Sequence, residues 1–227
     1  MVLRSRRYQQ ARTLVAPDRA YTIEEALNQL KAMTPAHFDE TVECAVQLSI
    51  DPRHSEQQVR GSIALPHGTG KSRRVAVFAE GARAEAARQA GADVVGSDEL
   101  IAKIEQGVIE FDVAIATPDM MGRIGRLGRH LGPRGLMPSP KSGTVREDVP
   151  AAVREFKGGR IEFRNDAGGN VHVAVGKLSF QTEALAQNVR AFLDQLVRLK
   201  PPAAKGKYIM KVHVCSTMSP AVPVTTE

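Results

Sequence analysis

The chain of 227 residues has no tryptophan, and three tyrosines and seven phenylalanines bring aromatics to only 4%. Its cores must therefore be aliphatic; with 42% hydrophobic residues the length suits two domains better than one. Cysteine is nearly missing as well. Cys44 and Cys215 lie far apart without metal-ligand spacing, which argues against a disulfide scaffold and predicts reduced thiols, Cys44 in core packing. The six histidines show no clustered ligand spacing, so neither a metal site nor a cofactor is expected. No apolar run approaches the roughly 20 residues of a membrane span. The start, MVLRSRRYQQ, is basic but lacks the apolar segment of a secretory leader.

Acid is missing from one long stretch. Between Asp119 and Glu147 there is no carboxylate, and from Gly122 to Val145 the chain reads GRIGRLGRHLGPRGLMPSPKSGTV. Arg123, Arg126 and Arg129 fall three apart, on one broad helical face, with Ile124, Leu127 and Leu131 on another. Gly122, Gly125, Gly128 and Gly132 recur through this helix at about 1 kcal/mol each relative to alanine, which predicts a close approach by another backbone. Gly-Pro-Arg-Gly and Pro-Ser-Pro-Lys cannot continue a helix. The expectation is a basic helix followed by a stiff, exposed loop carrying Arg134 and Lys141. A net charge of +6 and a pI near 9.5 favour an anionic partner such as nucleic acid.

Periodicity supplies the rest of the outline. A short basic helix is expected within residues 4–15. Thr22 with Glu25 forms a capping box before an apolar helix. Val42, Cys44, Val46, Leu48 and Ile50 alternate with polar residues as a half-buried strand, and Val59 to Leu65 makes a second. From Lys71 strands alternate with helices: strand 75–79, helix 83–90, strand 93–95, helix 98–106 capped by Ser97, and strand 112–116. That order predicts a parallel sheet covered on both faces. After Gly158 and Gly159 the style reverts: strands around Ile161 and Val173 flank the turn NDAGGN, a helix spans 183–199, and a last strand follows Tyr208. The expected fold class is α/β in two domains. An outer α+β domain with a mainly antiparallel sheet comes from both chain ends (1–68 and 159–227), and a Rossmann-like three-layer α/β domain (69–158) is inserted into it.

Two chemistries compete for this framework. Gly70-Lys71-Ser72 ends like a P-loop, but the motif requires glycine at Leu65 and a helix where a strand is expected, so a nucleotide-dependent enzyme is the weaker rival. Asp51 and Asp166 sit beside turn residues and read as turn formers. RNA recognition draws on arginine, lysine, hydroxyls and exposed rings; a free RNA chaperone is a third possibility. Phe38, between His37 and Asp39 at the mouth of a strand, reads unaided as a core plug.

LGRHLGPRGLMPSPKSGTV resembles the signature segment of the large-subunit ribosomal protein L-one family. AHFDETVE (36–43), IDPRHSEQQVRGSIALPHGTGK (50–71), GGRIEFRND (158–166), VGKLSF (175–180) and STMSP (216–220) are similar to that family's other blocks, in the same order. The resemblance implies a non-enzymatic constituent of the large ribosomal subunit, cytoplasmic and without a membrane. Its implied partners are the lateral stalk of large-subunit rRNA, exit-site tRNA and the protein's own operon mRNA, which it would repress. It also implies that Phe38 faces rRNA, with His37, Thr41, Glu43, Lys177, Thr217 and Met218; Arg53 and Arg60 are candidates to hold phosphates on their residue type alone, with plain surface solvation a near-equal alternative. Arg123, Arg126, Arg129, Arg134 and Lys141 would meet tRNA or other RNA, and Gly68, Gly70, Gly158 and Gly159 would form a hinge. Three departures stand out: His37 where lysine is usual, Ser219 where glycine is usual, and a PVTTE ending without a terminal basic residue.

Overall fold

The computed structural model describes residues 4–16, 19–33, 36–71 and 73–225, without the side chains of Ser55 and Lys141. Contacts divide the chain into two compact units, Met1–Gly70 with Phe163–Glu227, and Lys71–Glu162.

The first unit begins with helix α1 (Arg6–Thr13) and helix α2 (Ile23–Ala32). The capping box of α2 is present: the Glu25 N–H donates to the Thr22 hydroxyl at 3.3 Å and the Thr22 N–H to the Glu25 carboxylate at 3.1 Å. Strand β1 (Thr41–Leu48) buries Val42, Cys44, Val46 and Leu48 and turns Thr41, Glu43, Ala45 and Gln47 the other way. Strand β2 (Arg60–Ala64) leads toward the second unit. After the return, strand β7 (Asn170–Lys177), helix α8 (Thr182–Arg198), strand β8 (Ile209–Ser216) and strand β9 (Val222–Val224) complete the unit. The sheet order is β7-β1-β8-β9, antiparallel throughout. Helices α2 and α8 pack on its buried face, and the other face stays open, the usual economy of an antiparallel sheet. Strand β9 corrects the expectation that the strand after Tyr208 is the last. Val222 and Val224 are buried and pair with Val214 and Val212, so residues 217–221 form a connection within the sheet.

The second unit contains strand β3 (Val75–Phe78), helix α3 (Ala82–Gln89), strand β4 (Val94–Gly96), helix α4 (Asp98–Glu105) and strand β5 (Val113–Ala116). Two short helices, α5 (Met121–Ile124) and α6 (Gly128–Leu131), and helix α7 (Val149–Lys157) follow, then strand β6 (Arg160–Arg164), whose last two residues already belong to the first unit. Strands β4-β3-β5 are parallel in that order. Every residue of β3 is buried, and alternation sends them to two cores. Val75 and Val77 meet Ala87 of α3 and Val149, Val153 and Phe156 of α7. Ala76 and Phe78 meet Leu100 and Ile104 of α4 with Ile124, Leu127 and Leu131. The expected fold class holds: an antiparallel sheet from both chain ends, and a separate three-layer unit on a parallel sheet.

Two local features differ from expectation, and Cys44 lies in the core as expected. Helix α7 was not anticipated, although Asp148 caps it by accepting the Ala151 N–H at 3.1 Å, Pro150 lies in its first turn, and Val149, Ala152, Val153 and Phe156 share its buried side. Ser97 precedes α4 but its hydroxyl makes no capping bond. The two cysteines lie on opposite faces: Cys44 opposes Val214, whereas Cys215 opposes Glu43. Burial, with Cys215 nearby, pushes the Cys44 thiol up to about 12.

Asn188 of α8, fully buried, holds the segment ahead of the unit boundary. Its carbonyl accepts the His67 N–H at 3.1 Å, and its amide donates to the Gly68 and Val175 carbonyls at 3.0 and 2.8 Å. Asn188→Ala strands three backbone groups and is expected to cost about 2 to 4 kcal/mol. Urea unfolding measures this; a loss below about 0.5 kcal/mol would contradict the assignment.

Candidate nucleic-acid interface

Most of the residues assigned to rRNA by resemblance converge at one end of the first unit's sheet. Thr41 opens β1 opposite Lys177, which ends β7. A bulge after Val42, which opposes Gly176 while Glu43 opposes Ala174, brings Lys177 level with Thr41. The Lys177 ammonium donates to the Thr41 hydroxyl at 3.0 Å and to the Asp39 carbonyl at 3.1 Å. Across the other side of β1, the Thr217 hydroxyl accepts the Thr41 N–H at 3.0 Å and donates to the Thr41 carbonyl at 3.4 Å. His37 is exposed beside Phe38. Phe38 is 53% exposed and Met218 48%, so the core-plug reading of Phe38 is wrong. Two apolar side chains stand in solvent on a rim of hydroxyl, carboxylate and ammonium groups. Arg53 does not join them. It follows the far end of β1, roughly 23 Å from Thr41 at about 3.3 Å per residue, in a turn where Asp51 accepts its N–H at 3.0 Å.

The group that assembles this rim was not among the sequence candidates. Glu40 is 2% exposed. One carboxylate oxygen accepts the Ser216 hydroxyl at 2.6 Å and the Met218 N–H at 2.9 Å; the other accepts the Ala36 N–H at 2.7 Å and lies 3.7 Å from the Arg7 guanidinium. Burial acts to raise the Glu40 pKa, but these donors and the Arg7 charge outweigh it and hold the carboxyl below its ordinary value of 4.5. Beside it, the Asp39 carboxylate accepts the Ser179 hydroxyl at 2.8 Å and its N–H at 3.2 Å. The sequence signal was phase: residue 40 falls in step with buried Val42, Cys44, Val46 and Leu48.

The basic stretch of the second unit differs from expectation in three ways. It is not one helix: the 3-10 turn Gly125–Leu127 separates α5 from α6. Ile124, Leu127 and Leu131 are fully buried as anticipated, with the arginines on the other side. However, a side chain added at Gly122, Gly125 or Gly128 would meet nothing within 4 Å, so no backbone presses against them. Third, counter-charges arrive from elsewhere in the unit. Arg123 pairs with Glu80 at 2.5 Å and with Asp98 at 3.5 Å. Arg126 and Arg129 line an open groove with Gly125, Gly128, His130 and Glu105, and Arg134 is exposed; among the described residues these three arginines form no hydrogen bond or ion pair. Among the described side chains the loop is exposed over residues 132–135 and again at Pro140. Beyond it Ser142 and Thr144 are buried, their hydroxyls 2.9 Å apart, and Thr144 accepts the Ser139 N–H at 2.8 Å. The side chain of Lys141 lies outside the described set.

Little favours nucleotide chemistry. Ser72 lies outside the described residues, and the chain after Lys71 enters strand β3 rather than a helix. The carboxyl ends of the parallel strands, where α/β units usually take ligands, present Glu80, Asp98 and Asp119, held by Arg123 and Arg83. Among the described residues no group of histidine, cysteine or carboxylate side chains is placed to hold a metal ion, and no helix is long and apolar enough to cross a membrane.

Fold and surface thus define a class: a two-unit α/β protein whose candidate binding groups lie on open polar and basic faces. Within that class the assignment is specific, because residues 30–220 match the model of the Ribosomal protein L1p/L10e family. The chain is 56% identical to the large ribosomal subunit protein uL1 of Cutibacterium acnes over 97% of this chain and 95% of that one. It is equally similar, at 56%, to the uL1 of Kosmotoga olearia, covering 98% and 96%, and 54% identical to that of Thermobifida fusca, covering 97% and 94%. The chain belongs to the ribosomal protein L1p/L10e family, as its motifs implied.

Because the folded state depresses the Glu40 pKa, its stabilising contribution is complete above the ordinary value of 4.5 and is lost as pH falls through the lower folded value. Urea midpoints of wild type and Glu40→Gln are therefore expected to differ by a constant amount near neutral pH. The gap should close as the solution is acidified below 4.5. A gap that stays constant into acid would contradict the linkage.

Proposed function

We propose that the protein is a non-enzymatic constituent of the large ribosomal subunit that grips the lateral stalk of large-subunit rRNA through the Phe38–Met218 rim. The observation that carries this reading is the exposure of Phe38 and Met218 amid Thr41, Glu43, Lys177 and Thr217. An exposed ring stacks on a base or sugar, and carboxylate and hydroxyl acceptors suit 2′-hydroxyls and base amino groups better than phosphates. The relatives are named as large-subunit proteins, which fits. Folded mRNA of the same shape would occupy the same rim, the route to repression of the protein's own operon.

The second unit has the complementary task of meeting exit-site tRNA through Arg126, Arg129 and Arg134, while Arg123 has a smaller part because two carboxylates already neutralise it. Movement of that unit would use backbone freedom at Gly68, Gly70 and Gly159, whose φ values of 64°, 71° and 100° suit glycine. Gly158, at φ −69°, contributes no such freedom.

Binding to the isolated rRNA stalk segment tests the rim. Phe38→Ala is expected to weaken it about tenfold, since a stacked ring is worth about 1 to 3 kcal/mol, with the melting temperature unchanged. A drop in melting temperature with unchanged affinity would overturn the assignment. Log affinity should fall against log salt with a slope of about 0.7 to 0.9 per phosphate neutralised.

A separate arm tests the second surface. Replacing Arg126, Arg129 and Arg134 together by alanine should leave binding to the rRNA segment within about twofold, because exposed charges on another unit contribute little there. The same variant should weaken tRNA contact on assembled ribosomes. Loss of rRNA binding in this variant, with Phe38→Ala unaffected, would invert the two sites.

A further inference from the structure

We propose that Glu40 is the positioning residue of the rim: its buried carboxylate fixes the Phe38 turn and the Thr217–Met218 turn in one arrangement, ready for RNA. The inference rests on the RNA reading of that rim and adds a residue that never touches the ligand. Its two oxygens divide the work. One accepts the Ala36 N–H and faces Arg7, anchoring the residues on either side of Phe38; the other accepts the Ser216 hydroxyl and the Met218 N–H. Arg7 closes the loop by donating to the Met218 carbonyl at 3.4 Å. Three stretches far apart in sequence therefore meet on one side chain.

The surroundings exclude a ligand-binding role for this carboxylate. The cavity beside it, lined by Arg7, Glu40, Ser216 and Met218 among others, measures about 10 Å³, room for one water at most. Its polar groups serve one another. A buried charge with several donors is also a stiff joint, because rotating it out of place strands each donor without water. Neither turn is otherwise rigid by sequence: Phe38 sits outside any helix or strand, and Thr217 to Ser219 lie in a turn. Left loose, both would have to be ordered when RNA binds, and pre-ordering them removes that loss.

The test measures binding of the full chain to the rRNA stalk segment, well below the melting transition. The variants are Glu40→Gln, Ser216→Ala, Phe38→Ala, Met218→Ala and the Glu40→Gln/Met218→Ala pair. The carboxamide of Glu40→Gln keeps the shape but turns a donor toward one set of N–H groups. It is expected to bind about tenfold more weakly while remaining folded, and to shift the Met218 amide resonance. The pair should bind no more weakly than the weaker of its two single variants, since both act through one turn. Ser216→Ala removes one of the four contacts and should lose about threefold; if Glu40→Gln does not fold, this variant decides alone. Unchanged affinity in folded Glu40→Gln or in Ser216→Ala overturns the proposal, as does full additivity in the pair. If Phe38→Ala binds as tightly as wild type, the RNA reading of the rim fails; if only Phe38→Ala weakens binding, that reading stands and positioning by Glu40 falls.

Discussion

A carboxylate taken out of water loses several kcal/mol of hydration and must recover it from donors close at hand. For Glu40 those donors belong to Ala36, Ser216, Met218 and Arg7, so satisfying one charge brings the N-terminal helix, the start of β1 and the end of β8 to a single point. The rest of the rim follows. Thr217 can bond to Thr41 only because the two strands end level, and Lys177 can reach Asp39 and Thr41 only because the bulge in β7 brings it there. Apolar side chains are then free to remain outside. Phe38 and Met218 stay in solvent because the polar groups beneath them hold the turns in place.

The second unit is built on a different constraint. A three-stranded parallel sheet buried on both faces needs an aliphatic core on each, and helices supply it: α3 and α7 below, α4 to α6 above. Burying Ile124, Leu127 and Leu131 determines which side of that stretch faces outward. The open space over Gly122, Gly125 and Gly128 leaves backbone accessible between arginines. Long polyanions suit such a face, because a phosphate backbone can approach where no side chain stands in the way. Charge is nevertheless rationed there: Arg123 is bound to Glu80 and Asp98, leaving Arg126, Arg129 and Arg134 as the outward cations among the described side chains.

Family motifs and local periodicity made much of this legible. The capping box at Thr22, the alternation from Val42 to Leu48, the buried run at Val75 and the apolar face of Leu185 to Leu196 each depend on residues within one or two turns or strand repeats. Asp166 as a turn former was readable for the same reason, since it accepts the N–H groups of Gly168 and Asn170 at 2.8 and 2.7 Å. The same local signals mark α7, in Asp148, Pro150 and the spacing of Val149, Val153 and Phe156, between the basic loop and the glycine pair.

By itself the sequence determined most of the element order, the two sheet types, the family and the arginine-rich stretch, because these follow from neighbours along the chain. Only the tertiary structure decided that Phe38 stands in solvent, that Arg123 is neutralised, that Gly122, Gly125 and Gly128 meet no backbone, and that Arg53 lies away from the rim. It also decided the partners of Glu40. The physical reason is the same in each case: exposure, ion pairing and the satisfaction of a buried charge are set by groups far away in sequence, as with Ser216, which lies 176 positions from the carboxylate it serves.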